Sequence, residues 1–113
     1  PEEHGVPSYE ELIYIARADR MDDAMLPRFL DAIEAATVWQ AENPKEAEAL
    51  FFEAHPDIDN ALNRQAFLDT LPTFPMDPRP LNTEGYERFA AFMTEAGLVS
   101  DLPPLSDYAV EID

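Results

Sequence analysis

Eleven prolines against three glycines decide where this chain can be regular. Proline has no backbone N–H and holds φ near −65°, so a helix accepts it in the first turn and stops at it elsewhere. Pro27, Pro44, Pro56, Pro72, Pro75, Pro78, Pro80, Pro103 and Pro104 therefore restrict the chain to short helices. The ends of those helices must be set largely by proline and by Asn or Asp caps.

Between the prolines the apolar spacing predicts about four helices. From Asp22 or Asp23, residues Leu26, Phe29, Leu30, Ile33 and Thr37 recur every three or four positions, as in an amphipathic helix ending near Glu42 with Pro27 in its first turn. Asn43-Pro44-Lys45-Glu46 has the form of a capping box and predicts a second helix through Ala54 that buries Ala47, Leu50 and Phe51. His55-Pro56-Asp57 breaks it, and Asp57 or Asp59 is expected to open a third helix on Ala61, Leu62, Leu68 and Leu71. Pro72, Pro75, Pro78 and Pro80 then force an extended, polyproline-like crossing. Asn82 or Thr83 starts the last helix, with Tyr86, Phe89, Ala90 and Met93 on one face and Gly97 as its C′ glycine. Trp39, Phe51, Phe52, Phe67, Phe74, Tyr86, Phe89 and Phe92 mostly fall at helical spacing and read as core.

One short apolar run, Leu12–Ala16, lies between a Gly5 and Pro7 turn and the charged stretch Arg17–Arg20, and it reads as a buried strand. A single strand cannot make a sheet. Either it pairs with strands supplied from elsewhere, which is the preferred setting, or the chain is a helical cluster in which this run packs irregularly or pairs with a second copy. The segment itself is thus expected to be mainly α, with about four helices plus one strand.

Charge narrows the partners. Twenty-four acidic against seven basic side chains leave a net charge of −17, which repels phosphate backbones and anionic lipid, so no nucleic acid and no membrane surface is expected as a direct partner. The absence of cysteine removes disulfides, thiolate metal sites and thiol nucleophiles. His4 and His55 lack the spacing of a helical zinc pair, and no Gly-x-Ser-x-Gly turn is present. No metal, cofactor or catalytic dyad is expected.

The stretch HGVPSYEELIYIA, residues 4–16, carries the most suggestive chemistry. In an extended backbone Tyr9 and Glu11 share one side while Glu10 faces the other. A flat, nitrogen-rich ring could then stack on Tyr9 while its amino group donates to Glu11, with Gly5 and Pro7 fixing the approach of the backbone. Spacing alone does not single this out: the same residues read more simply as a ring on an apolar edge with two solvated acids beside it.

The order of segments adds to that reading. HGVPSYEELIYIA, then the stretch from LPRFLDAIEAATVWQ through NRQAFLDTLPTF, then NTEGYERFAAFMTEAGLV resembles the C-terminal part of the substrate-binding proteins of ABC transporters that take up pyrimidine precursors of thiamine. The resemblance runs along nearly the whole chain and implies an α/β parent fold of the type II periplasmic-binding-protein kind, whose two lobes close on a ligand at the hinge. It implies a division into a cleft turn and strand (1–20), helices (21–71), a proline-rich crossing (72–81) and a last helix with tail (82–113), with the first lobe upstream. It places Tyr9 against the pyrimidine ring and Glu11 on its amino side, with Gly5 and Pro7 shaping the turn. The implied partners are a small aminopyrimidine and an inner-membrane ABC permease, at a periplasmic or membrane-anchored location, with no catalysis. The same superfamily includes enzymes that make the thiamine pyrimidine and carry a cysteine-rich motif near this strand, which argues against catalysis in a chain without cysteine. A third reading, an acidic helical interaction module, leaves Tyr9 and Glu11 as surface. The chain by itself is expected to self-associate through the exposed edge at residues 12–16.

Overall fold

A computed structural model describes residues 2–112. Four α-helices and five 3-10 turns make up the regular structure among the described residues, and they cluster into two units, Ala24–Pro78 and Pro1–Asp23 with Arg79–Asp113. No helix among the described residues is long and apolar enough to cross a membrane.

In the unit Ala24–Pro78, helix α1 runs Met25–Glu42 and α2 runs Pro44–Ala54, so a single residue joins them. Pro27 sits in the first turn of α1 and Pro44 opens α2, where a missing N–H costs nothing. The capping box does not form. Asn43 instead turns back to finish α1: its backbone N–H and its side-chain Nδ2 both donate to the Trp39 carbonyl oxygen, at 2.9 and 2.8 Å. That carbonyl is one of the unpaired acceptors at a helix end, and α2 starts without a side-chain cap.

The face of α2 also differs from expectation. Ala47 is buried as predicted, but Leu50 is 56% and Phe51 37% exposed, while Phe52 is only 3% exposed. Three consecutive large residues, Leu50, Phe51 and Phe52, cannot all face inward on a helix; the partner element decides. Here it is α3, Ala61–Thr70, whose Phe67 ring lies 5.2 Å from Phe51 and 6.1 Å from Phe52. The Arg64 guanidinium sits 4.8 Å over the Phe52 ring. It is held there by a fork to Asp59 (Nε to Oδ1 2.6 Å, Nη2 to Oδ2 2.8 Å) and by a 3.0 Å bond to Glu48 of α2. The Asp59 carboxyl is pulled below its usual range, chiefly by its hydrogen bonds with Arg64.

Helix α3 begins later than Asp57 or Asp59. Residues Pro56–Ile58 form a 3-10 turn, Asp59 goes to Arg64, and Asn60 caps the helix by accepting from the Asn63 N–H at 3.0 Å. Its half-buried positions are Asn63, Arg64 and Phe67, with Ala61, Leu62 and Leu68 exposed. Leu71 starts a further 3-10 turn, Leu71–Thr73, and the chain bends again at 74 and 76–78 rather than running evenly extended. Leu30, Thr37, Ala47 and Phe52 form the buried set of this unit, and no described side chain is completely buried. Trp39, Phe51 and Phe74, expected as core, are 42%, 37% and 39% exposed: Trp39 and Phe51 lie off the covered faces of α1 and α2, and Phe74 lies in the bend that follows the last 3-10 turn of this unit.

In the unit Pro1–Asp23 with Arg79–Asp113, the regular element is α4, Thr83–Glu95. Asn82 caps it, its Oδ1 accepting from the Gly85 N–H at 3.0 Å. Gly97, at φ +70°, closes it: the Gly97 N–H donates to Thr94 and the Leu98 N–H to Met93 (3.0 and 2.9 Å), the paired bonds of a Schellman end. Tyr86, Phe89, Ala90 and Met93 are half-buried along one face as predicted. The tail holds a 3-10 turn at Leu105–Asp107, and Glu111 accepts from the Leu81 N–H at 2.7 Å.

The predicted strand is absent. Residues 12–16 are irregular and exposed, with Leu12 at 90% and Ile15 at 89%. A strand exists only through a partner's backbone hydrogen bonds, and no strand is present among the described residues to supply them.

Candidate functional site

The second unit holds a cavity of about 240 Å³ lined by Ser8, Tyr9 and Glu10 on one side and by Asn82, Gly85, Tyr86 and Phe89 on the other. The helical half follows from spacing: residues 82, 85, 86 and 89 lie on one side of the first two turns of α4. Gly85 makes room for its neighbour. A β-carbon there would stand 2.4 Å from Asn82 Nδ2, so any larger residue collides with the side chain that caps the helix.

Tyr9 lies flat on Phe89, with ring centroids 4.4 Å apart and planes 15° from parallel, and Phe89 in turn stacks on Phe92 at 6.0 Å. These rings build an aromatic platform, and Tyr9 is still 46% exposed. The polar groups are the Ser8 hydroxyl, the Glu10 carboxylate, the Asn82 amide and the Tyr86 phenol. Burial pushes the Tyr86 phenol up, and the negative charge of Glu10 adds to the shift, with Tyr108 third. At neutral pH the phenol is therefore a donor beside a carboxylate acceptor. A flat ring carrying both donors and acceptors suits such a wall.

The predicted residues are only partly brought together. Tyr9 lines the cavity, but the adjacent acid that lines it is Glu10, and Glu11 is exposed outside the lining. The strict alternation expected of a strand fails because residues 9–11 belong to no ladder. Gly5 adopts φ +82°, with open space where a β-carbon would be; the turn needs its backbone freedom. Pro7 is half-buried. Spacing arguments missed Ser8, Asn82 and Gly85, and read Tyr86 and Phe89 only as core. The available signal was a glycine placed three residues after an Asn cap on an aromatic helix face. His4 and His55 are both exposed, and no group of three or more His, Cys, Asp or Glu among the described residues converges as a metal site. A wider depression between Asp31, Glu34, Val38, Trp39 and Glu42 belongs to α1 alone and is an open helix flank.

Comparison with known proteins addresses the same stretch. The family described as "NMT1/THI5 like" matches residues 1–47, which include Gly5, Pro7, Tyr9, Glu10 and Glu11. A protein of Haemophilus influenzae, whose name assigns it provisionally to thiamine biosynthesis, is 39% identical over 114 aligned positions covering this whole chain. The chain spans 36% of the length of that relative. No solved structure matches it. The two matches bear out the resemblance read from the order of segments.

Proposed function

We propose that this chain, NMT1/THI5-like over residues 1–47, is the C-terminal segment of a two-lobe solute-binding protein that captures an aminopyrimidine precursor of thiamine for an ABC permease. The observation that carries this reading is the Tyr9 platform with a carboxylate at its wall, set within the residues the family covers. Residues 1–20 form the cleft segment, 21–71 the helices, 72–81 the proline-rich crossing and 82–113 the last helix and tail. Tyr9 takes the pyrimidine face, Glu11 accepts from the ring's amino group, and Gly5 and Pro7 hold the turn. Glu10 faces the Tyr86 phenol and supplies a second acceptor. Binding is differential: the ligand bridges these groups to the other lobe and favours the closed form, which docks on the permease outside the cytoplasmic membrane. The protein carries its ligand without changing it.

Calorimetric titration of the two-lobe protein with 4-amino-5-hydroxymethyl-2-methylpyrimidine and its formylaminomethyl analogue tests this. One-to-one binding is expected. Glu11→Gln keeps the shape and loses a charge-assisted bond, so affinity falls by about 1.5–3 kcal/mol. An unchanged dissociation constant removes Glu11 from the site. The relative's name places it in thiamine biosynthesis, which is compatible with a second reading, an enzyme that makes the thiamine pyrimidine; recovery of the ligand unaltered after incubation opposes it, and a new product supports it.

A further inference from the structure

Two bonds fix Asn82 independently of any ligand. Its carbonyl accepts from the Tyr86 N–H at 3.0 Å, and its Oδ1 accepts from the Gly85 N–H, also at 3.0 Å. Just upstream the Leu81 N–H donates to Glu111 at 2.7 Å, and the Leu81 carbonyl accepts from the Thr83 N–H at 2.9 Å. The backbone on both sides of Asn82 is therefore tied down as well. A cap needs an oxygen facing the helix N–H, which decides the end-to-end orientation of the amide. Nδ2 is the end left over. It lies above Gly85, 2.4 Å from where a β-carbon would stand, and both residues line the cavity.

We infer that Asn82 is a specificity-determining residue of the proposed ligand site: its Nδ2 donates to the ring nitrogen beside the amino group of an aminopyrimidine, while Glu10 on the facing wall accepts from that amino group. This rests on the binding reading above and adds a contact that reading leaves out. The edge of an aminopyrimidine presents an acceptor, the ring nitrogen, next to a donor, the amino group. An ionised carboxylate only accepts, so acids alone answer the amino group and leave the ring nitrogen without a donor. The amide Nδ2 only donates. Residues 8–10 and the first two turns of α4 thus bring an acceptor and a donor to one cavity. An amino group has two hydrogens, so Glu10 and Glu11 do not compete for it.

The same pairing defines what is refused. A 4-oxo analogue carries a carbonyl and a ring N–H where the amino ligand has its amino group and ring nitrogen. Both positions are reversed: an acceptor meets the carboxylate and a donor meets Nδ2. Polar groups left facing their own kind lose far more than a missing apolar contact does, which is why such walls discriminate.

Calorimetric titration of the two-lobe protein with 4-amino-5-hydroxymethyl-2-methylpyrimidine and with its 4-oxo analogue tests the assignment. The parent should bind the oxo ligand about a hundredfold more weakly than the amino ligand, or worse. Asn82→Asp keeps a side-chain oxygen for the Gly85 N–H, so α4 retains its cap, but it exchanges the donor for an acceptor. Affinity for the amino ligand should fall by about tenfold or more, and the preference over the oxo ligand should narrow by at least that factor, because the oxo ligand's ring N–H then has an acceptor. Asn82→Ser caps through its hydroxyl without adding charge and ends short of the Nδ2 position; it should weaken the amino ligand by about tenfold as well. Circular dichroism checks that both variants keep their helices. A merely structural lesion weakens both ligands alike and leaves the preference where it was. That result overturns the role of Asn82 and leaves the binding reading intact, as does unchanged affinity in either variant or a parent that binds the two ligands equally. A parent that binds neither overturns the binding reading and this inference with it.

Discussion

The two units use similar residues to different ends. In Ala24–Pro78 the aromatic rings close on each other: Phe52 is nearly covered, with Arg64 over its face and Phe51 and Phe67 at its edges. In the other unit the stacked rings of Tyr9, Phe89 and Phe92 stop at a cavity, and Gly85 is its buried residue. The first arrangement spends its apolar surface on stability. The second leaves part of it open at the cavity. The family match extends over the cavity's N-terminal wall and α1, so it marks the open arrangement at Tyr9 together with the start of the closed one.

That contrast can be broken first at Phe52. Phe52→Ala removes the covered ring and leaves Arg64 over a void, and the loss expected is about 3–5 kcal/mol in urea denaturation. If the units differ as described, Tyr9→Ala costs visibly less than Phe52→Ala in the same assay; equal losses would mean that the cavity rings are core after all. At the site, Gly85→Ala drives a methyl into the Asn82 side chain and displaces the cap of α4. The expected cost is about 1 kcal/mol, seen as reduced helicity and a lower melting temperature. Retention of full helicity would show that Asn82 is dispensable as a cap.

The smallest effect concerns acid. Asp59 is held below its usual carboxylate range by Arg64, so its pairing contributes stability above the unfolded carboxylate value and loses it as pH falls through the lower folded one. The stability difference between the parent and Asp59→Asn should be constant near neutrality and shrink below about pH 4. Taking the difference cancels the relief of self-repulsion that acid brings to a chain of net charge −17. A pH-independent difference would mean that the Asp59–Arg64 pair contributes nothing.

Helix limits were legible where a single residue determines them. Pro44 starts a helix, Asn82 caps one and Gly97 ends one, each as read from sequence. Asn43 was misread because an Asn between two helices can serve either end, and only the geometry of the Trp39 carbonyl shows which. The inward face of α4 was legible because its apolar residues recur at one spacing among charges. That of α2 was not, since three adjacent large residues leave the choice to α3. The strand needed a partner that residues 2–112 do not contain. Tyr9 stood out as a candidate, but its neighbours in space come from α4, more than seventy positions later, and no local period encodes that meeting.

Asn43 has one more consequence, for length. A joint of one residue, with both its donors fixed on the preceding helix, has no slack. Inserting or deleting one residue within it would turn α2 by roughly 100° about its axis, swinging Phe52 toward water and Phe51 or Glu53 toward the core. Gains and losses of length along this chain belong instead in the bent, proline-punctuated stretch from 74 to 80, where no buried face depends on the count.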